Sequence, residues 1–184
     1  SYKKAVAIRP SFSEAYYNLA RTFQDKGDLA NAINNCEKAI KLQPSNFEAF
    51  NSLGSMHLKL RQLDDAIISF EKALAIKPDS VNALNNLGAA FQEQGQLELA
   101  IKTFQKVLKI NPKSAEALNN LGVSLRDSGE LGKASKNFDR ALNLKPKSTE
   151  ILNNCGGTFK KLGETSKAIK YYKRALAINP NEKQ

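Results

Sequence analysis

The sequence predicts an all-α solenoid, on three observations. All six prolines, Pro10, Pro44, Pro78, Pro112, Pro146 and Pro180, stand 34 residues apart. Each period carries two apolar stripes at helical spacing, and in four of the five full periods a glycine separates them. A unit of this size cannot bury its apolar stripes alone and must stack on its neighbours, so chain length counts repeats rather than domains.

With proline taken as position 32, full units run over 13–46, 47–80, 81–114, 115–148 and 149–182. Positions 4, 7, 8 and 11 share one helical face, as in Leu84, Leu87, Gly88 and Phe91 or Leu118, Leu121, Gly122 and Leu125. This is helix A. Position 15 is Gly27, Gly95, Gly129 or Gly163, where a residue free to take positive φ lets the helix end; Arg61 is the exception. Helix B follows, with an apolar stripe such as Leu97, Ala100, Phe104, Val107, Leu108 and Ile110. Small residues at position 8 (Ala20, Gly54, Gly88, Gly122, Gly156) and position 20 (Ala32, Ala66, Ala100, Ala134, Ala168) let the paired helices approach closely, and large residues at 4, 11 and 24 fill the gaps. Proline then stops helix B.

Residues 1–12 align with the end of a unit, through Tyr2, Ala5, Ile8 and Pro10, and read as a lone helix B. The chain stops four residues after Pro180. Both ends read as cut from a longer chain, and their uncapped apolar faces are expected to allow end-to-end self-association.

Composition narrows the chemistry. No uninterrupted apolar run approaches the roughly 18 residues of a membrane span. Cys36 and Cys155 fall on apolar helix positions and read as buried thiols, which suits a cytoplasmic protein. The single histidine, His57, occupies position 11, where other units carry Phe23, Phe91, Leu125 and Phe159, and reads as a core residue. Gly156 and Gly157 lie on helix A as a packing pair. No nucleophile with a base, carboxylate pair, metal-ligand set or phosphate loop assembles, so no catalysis, metal or cofactor is expected.

The large residue, Leu-Gly, aromatic, Ala, aromatic, Ala and Pro at these offsets resemble the tetratricopeptide repeat over residues 13–182. That resemblance implies a right-handed superhelix of antiparallel helix pairs, a protein-binding scaffold with helix A lining the concave groove. Position 5 reads Tyr17, Asn51, Asn85, Asn119 and Asn153, and position 6 reads Asn18, Ser52, Asn86, Asn120 and Asn154. Eight of these ten residues are asparagine, at a cost of about 5 kcal/mol in helix propensity. Hydrogen bonding between adjacent units accounts for position 5, and position 6 is assigned to ligand. An amide offers both a donor and an acceptor and so matches the main chain of an extended peptide of any sequence. The row is similar to the asparagine ladder of O-linked N-acetylglucosamine transferase repeats, which implies an alternative: the substrate-recognition part of such a glycosyltransferase.

A formal net charge of +10 raises nucleic acid as a partner, but its distribution argues against it. Positions 2, 6, 9 and 13 of helix A carry seven acids against three bases, so phosphate would meet carboxylates, and few aromatics are placed to stack. A carboxylate clamp is also excluded, since positions 2, 6 and 9 supply only Arg21. The positive excess lies on helix B, at position 26 (Lys4, Lys38, Lys72, Lys106, Arg140, Arg174) and position 22 (Lys102, Lys136, Lys170). It reads as a solvated face favoured by the helix dipole, with an acidic partner or a membrane surface as the alternative.

Overall fold

The computed structural model of the chain describes residues 12–179. The lone helix expected from residues 1–12, with its apolar end face, and the last proline lie outside the described residues, Phe12 excepted. Ten α-helices and no strand occur among the described residues: α1 (Ser13–Asp25), α2 (Leu29–Leu42), α3 (Phe47–Lys59), α4 (Leu63–Ile76), α5 (Val81–Glu93), α6 (Leu97–Ile110), α7 (Ala115–Asp127), α8 (Leu131–Leu144), α9 (Thr149–Lys161) and α10 (Thr165–Ile178). The all-α class is as the sequence predicts. The chain divides into two compact units, residues 1–90 and 91–184. In the first, α1 packs on α2 and α3 on α4, with α2 against α3. In the second, α6 packs on α7, α7 on α8, α8 on α9 and α9 on α10.

Each turn from an odd-numbered helix into the next has one hydrogen-bond signature. The N–H of position 16 donates back to the carbonyl of position 11 (Asp28 to Phe23, Gln62 to His57, Gln96 to Phe91, Glu130 to Leu125, Glu164 to Phe159) at 2.8 or 2.9 Å. This six-to-one closure places the intervening residue in the left-handed region. Gly27, Gly95, Gly129 and Gly163 occupy it with φ of 77° to 87°, and so does Arg61, with φ 58°. A side chain there costs about 1 kcal/mol. Arg61→Gly is therefore expected to raise stability by about that amount in urea unfolding; a fall would mean that the arginine side chain holds the turn.

The return turn is built on proline. Pro44, Pro78, Pro112 and Pro146 each occupy the second place of a four-residue turn, closed by Asn46 to Gln43 at 3.0 Å and by Ser80 to Lys77, Ser114 to Asn111 and Ser148 to Lys145 at 3.2 Å. The fourth residue then caps the next helix. Asn46 accepts from the Ala49 N–H at 2.9 Å, Ser114 from Ala117 at 3.2 Å, and Ser80 and Ser148 from Ala83 and Ile151 at 3.4 Å. One residue thus ends the turn and satisfies an orphan donor of the helix that follows. The asparagine and serine column at position 34 carried that signal in the sequence.

Glycine at position 8 brings the helices of a pair together. A Cβ built on Gly54, Gly122 or Gly156 would lie 2.6 or 2.7 Å from the ring of Phe70, Phe138 or Tyr172, all at position 24. Where position 8 is Ala20, position 24 is Cys36, and both are buried in one cluster. The two positions offset each other in part, alanine facing a small partner and glycine an aromatic one. The position 20 alanines are all buried.

Candidate functional site

Positions 5 and 6 sit in the second turn of the odd-numbered helices, next to the apolar stripe and half-turned toward solvent. In the first unit the Tyr17 hydroxyl meets the Ser52 hydroxyl at 3.4 Å. Asn86 Nδ2 stands 3.5 Å from both Asn51 Oδ1 and Ser55 Oγ. In the second unit Asn154 Nδ2 donates to Asn119 Oδ1 at 2.9 Å. The common rule is that position 5 of one helix meets position 6 of the next in the same unit.

The two columns are therefore not separated into a structural row and a free row. Position 6 amides donate into the position 5 column, and their remaining capacity is what a ligand would meet. Asn119 Nδ2 also donates to Glu150 Oε1 at 2.7 Å and lies 3.4 Å from Asn120 Oδ1. Asn154 Oδ1 accepts from Arg126 Nη1 at 3.1 Å, and Arg126 Nε donates to Asp127 at 3.1 Å. Asn85 and Asn119 are 6% and 4% exposed, whereas Asn18, Asn51, Ser52, Asn86, Asn120, Asn153 and Asn154 are half-buried. The Oδ1 atoms of Asn85 and Asn153 are buried with no hydrogen-bond partner among the described residues.

A polar cleft opens beside these columns at the same place of the repeat in both units. In the first it has about 340 Å³ and is lined by Glu14, Tyr17, Asn18, Gln43, Ser45, Asn46 and Glu48. In the second it has about 170 Å³ and is lined chiefly by Glu116, Asn119, Asn120, Lys145, Ser148 and Glu150. Each is flanked by two position 2 glutamates and floored by amides and a helix cap. Carboxylates at the rim make both clefts acceptor-rich.

These contacts separate the amides by load. Asn154 holds one bond on each side of its amide, and losing it leaves Asn119 Oδ1 and Arg126 without that partner. Among the described residues the Asn18 side chain makes no hydrogen bond. Asn154→Ala is expected to lower stability by about 1 kcal/mol, and Asn18→Ala to raise it by about 0.5 kcal/mol, as measured by urea unfolding.

Elsewhere the chemistry is quiet. His57 is half-buried, as Phe23 is, and not enclosed as position 11 suggested; its Nδ1 reaches Gln62 Oε1 at 2.8 Å across the turn. Cys36 and Cys155 are buried, and burial pushes both thiols up to about 12, with Glu37 adding at the first and Asp139 at the second. No group of His, Cys, Asp and Glu able to hold a metal ion occurs among the described residues. No helix among them is long and apolar enough to cross a membrane.

Family models described as the tetratricopeptide repeat match residues 17–81, 79–147 and 113–181. The chain belongs to the tetratricopeptide repeat family. No curated protein gives a significant sequence match to this tetratricopeptide repeat chain. Among solved structures it is similar to MamA, 26% identical over 92% of this chain and 93% of that one with a TM-score of 0.83. It is also similar to YrrB, a tetratricopeptide repeat protein with an unusual peptide-binding site (24% identity, 99% and 94% coverage, TM-score 0.82). The MamA fragment from Desulfovibrio magneticus RS-1 matches with a TM-score of 0.87 at 18% identity, over 94% of this chain and 97% of that one. The YrrB and Desulfovibrio likenesses show the fold alone. The tetratricopeptide repeat is generally a noncatalytic interaction fold, and no catalytic family is matched.

Proposed function

We propose that this chain is a noncatalytic protein-interaction module of five helix-pair repeats that holds an extended polypeptide on its odd-numbered helices, gripping the main chain. The site comprises Asn18, Asn51, Ser52, Asn85, Asn86, Asn119, Asn120, Asn153 and Asn154. The observation that carries the reading is the recurrence, once in each of the two compact units, of a polar cleft lined by position 2 glutamates and the position 5 and 6 columns. A fold-level need would be met by the amide pairs alone; the clefts beside them are open. The peptide-binding site of YrrB supports the reading by analogy of fold. Exposed Glu14, Glu48, Glu116 and Glu150 at the rims disfavour nucleic acid.

The asparagines of position 6, present in four of five repeats, favour a second reading: the substrate-recognition part of a glycosyltransferase similar to O-linked N-acetylglucosamine transferase. A catalytic domain in the parent chain decides between the two. The groove itself is tested with peptides mapped from proteins that the array captures. If amides read the main chain, N-methylation of alternate backbone positions abolishes binding, whereas exchanging side chains of like size changes it little. Binding that survives N-methylation overturns the reading.

A further inference from the structure

The charge of the even-numbered helices is divided unequally between the two units. In α2 and α4 three bases stand against four acids. In α6, α8 and α10 ten bases stand against two acids, Glu98 and Asp139. Lys133 and Lys167 are paired with Glu130 and Glu164, and Asp139 accepts from the Tyr171 hydroxyl at 3.1 Å, so the excess survives the local pairs. Helix dipoles and solubility act alike on both units and would place bases in both. The concentration in the second unit is not a requirement of the fold.

Those bases form stripes. Lys102 and Lys106 on α6, Lys136 and Arg140 on α8, and Lys170 and Arg174 on α10 are each one turn apart, and all six are exposed. Between α6 and α8 lies a cleft of about 350 Å³. Its floor is apolar, made by Ile101, Leu121 and Leu125; Lys136 and Arg140 are in its wall, as is Glu130, whose carboxylate is already paired with Lys133. A bilayer surface would leave such a recess unfilled, and a phosphate backbone would use the bases but not the floor. An apolar side chain flanked by carboxylates uses both.

We propose that the outer face of α6, α8 and α10 docks an acidic segment of a partner protein, which seats one apolar side chain in the cleft and lays its carboxylates along the basic stripes. This surface is separate from the amide columns and does not depend on their role. The test is a titration of the whole chain with a labelled synthetic peptide carrying glutamates and leucines at helical spacing. The comparison probes are the same peptide with serine for leucine, phosphatidylserine vesicles and a short DNA duplex.

The leucine peptide is expected to bind about tenfold tighter than the serine peptide and tighter than vesicle or duplex, with affinity falling as salt rises. Lys136→Glu with Arg140→Glu is expected to weaken it about tenfold, and Lys38→Glu with Lys72→Glu to leave it within about twofold. Circular dichroism checks that each variant keeps its helicity; Lys136→Gln with Arg140→Gln replaces any that does not. No binding, equal binding of the serine peptide, tighter binding of vesicle or duplex, or indifference to the α8 reversals overturns the proposal. Asn120→Ala is expected to leave this binding unchanged, so failure here and failure of the groove are distinguishable.

Discussion

Phe138→Ala is expected to lower stability by about 3–5 kcal/mol, the cost of emptying a fully enclosed aromatic site. Phe138 is 0% exposed, and its ring lies where a Cβ on Gly122 would fall, so α7 and α8 are joined through it. Glycine opposite the ring offers no side chain to collapse into the space from α7 at that point, which puts the loss toward the upper end of that range. Because a repeat array transmits contacts to near neighbours, the loss should centre on α7 and α8. Urea unfolding with amide hydrogen exchange checks both. A loss under about 1 kcal/mol, or one spread evenly along the chain, would falsify this placement of the core.

The second large effect comes from the other side of the same contact. Gly122→Ala gains about 1 kcal/mol in helix propensity but sets a methyl 2.6 Å from an enclosed ring. Overpacking of that kind costs about 1–3 kcal/mol and the ring has nowhere to go, so a net loss is expected. Gly156→Ala makes the same 2.6 Å approach, to Tyr172, but that ring is half-buried and can swing outward. Its effect is expected to be near zero or stabilising. Adding Phe138→Cys to Gly122→Ala reproduces the Ala20 and Cys36 pairing, and should restore part of what either change loses alone. Thermal melts of the four variants decide it; equal losses for Gly122→Ala and Gly156→Ala would rule out ring confinement as the cause.

Much of this was legible without coordinates because the contacts of a repeat protein recur with the sequence period. A stripe at positions 4, 7, 8 and 11 specifies a helix, and a residue with positive φ at position 15 specifies its end. Proline at 32 specifies the next turn. Even Arg61 was identifiable as the odd residue in a glycine column, and its φ of 58° shows that the turn imposes its conformation on whatever residue stands there. His57 differs from the buried Phe91, Leu125 and Phe159 of its column because its ring is polar and finds Gln62 across the turn.

The helices, their turns, the close approach at position 8 and the buried thiols were determined by sequence alone, since each depends on residues within one helix pair. Only the tertiary structure decided how the asparagines are used. Neighbouring helices are offset so that a residue meets the one 35 places on, pairing position 5 with position 6, as in Asn119 with Asn154. No single-helix projection contains that offset, because it arises from how one pair leans on the next. The clefts beside the amides and the apolar floor beneath Lys136 and Arg140 belong to the same category, being spaces between helices rather than properties of any one of them.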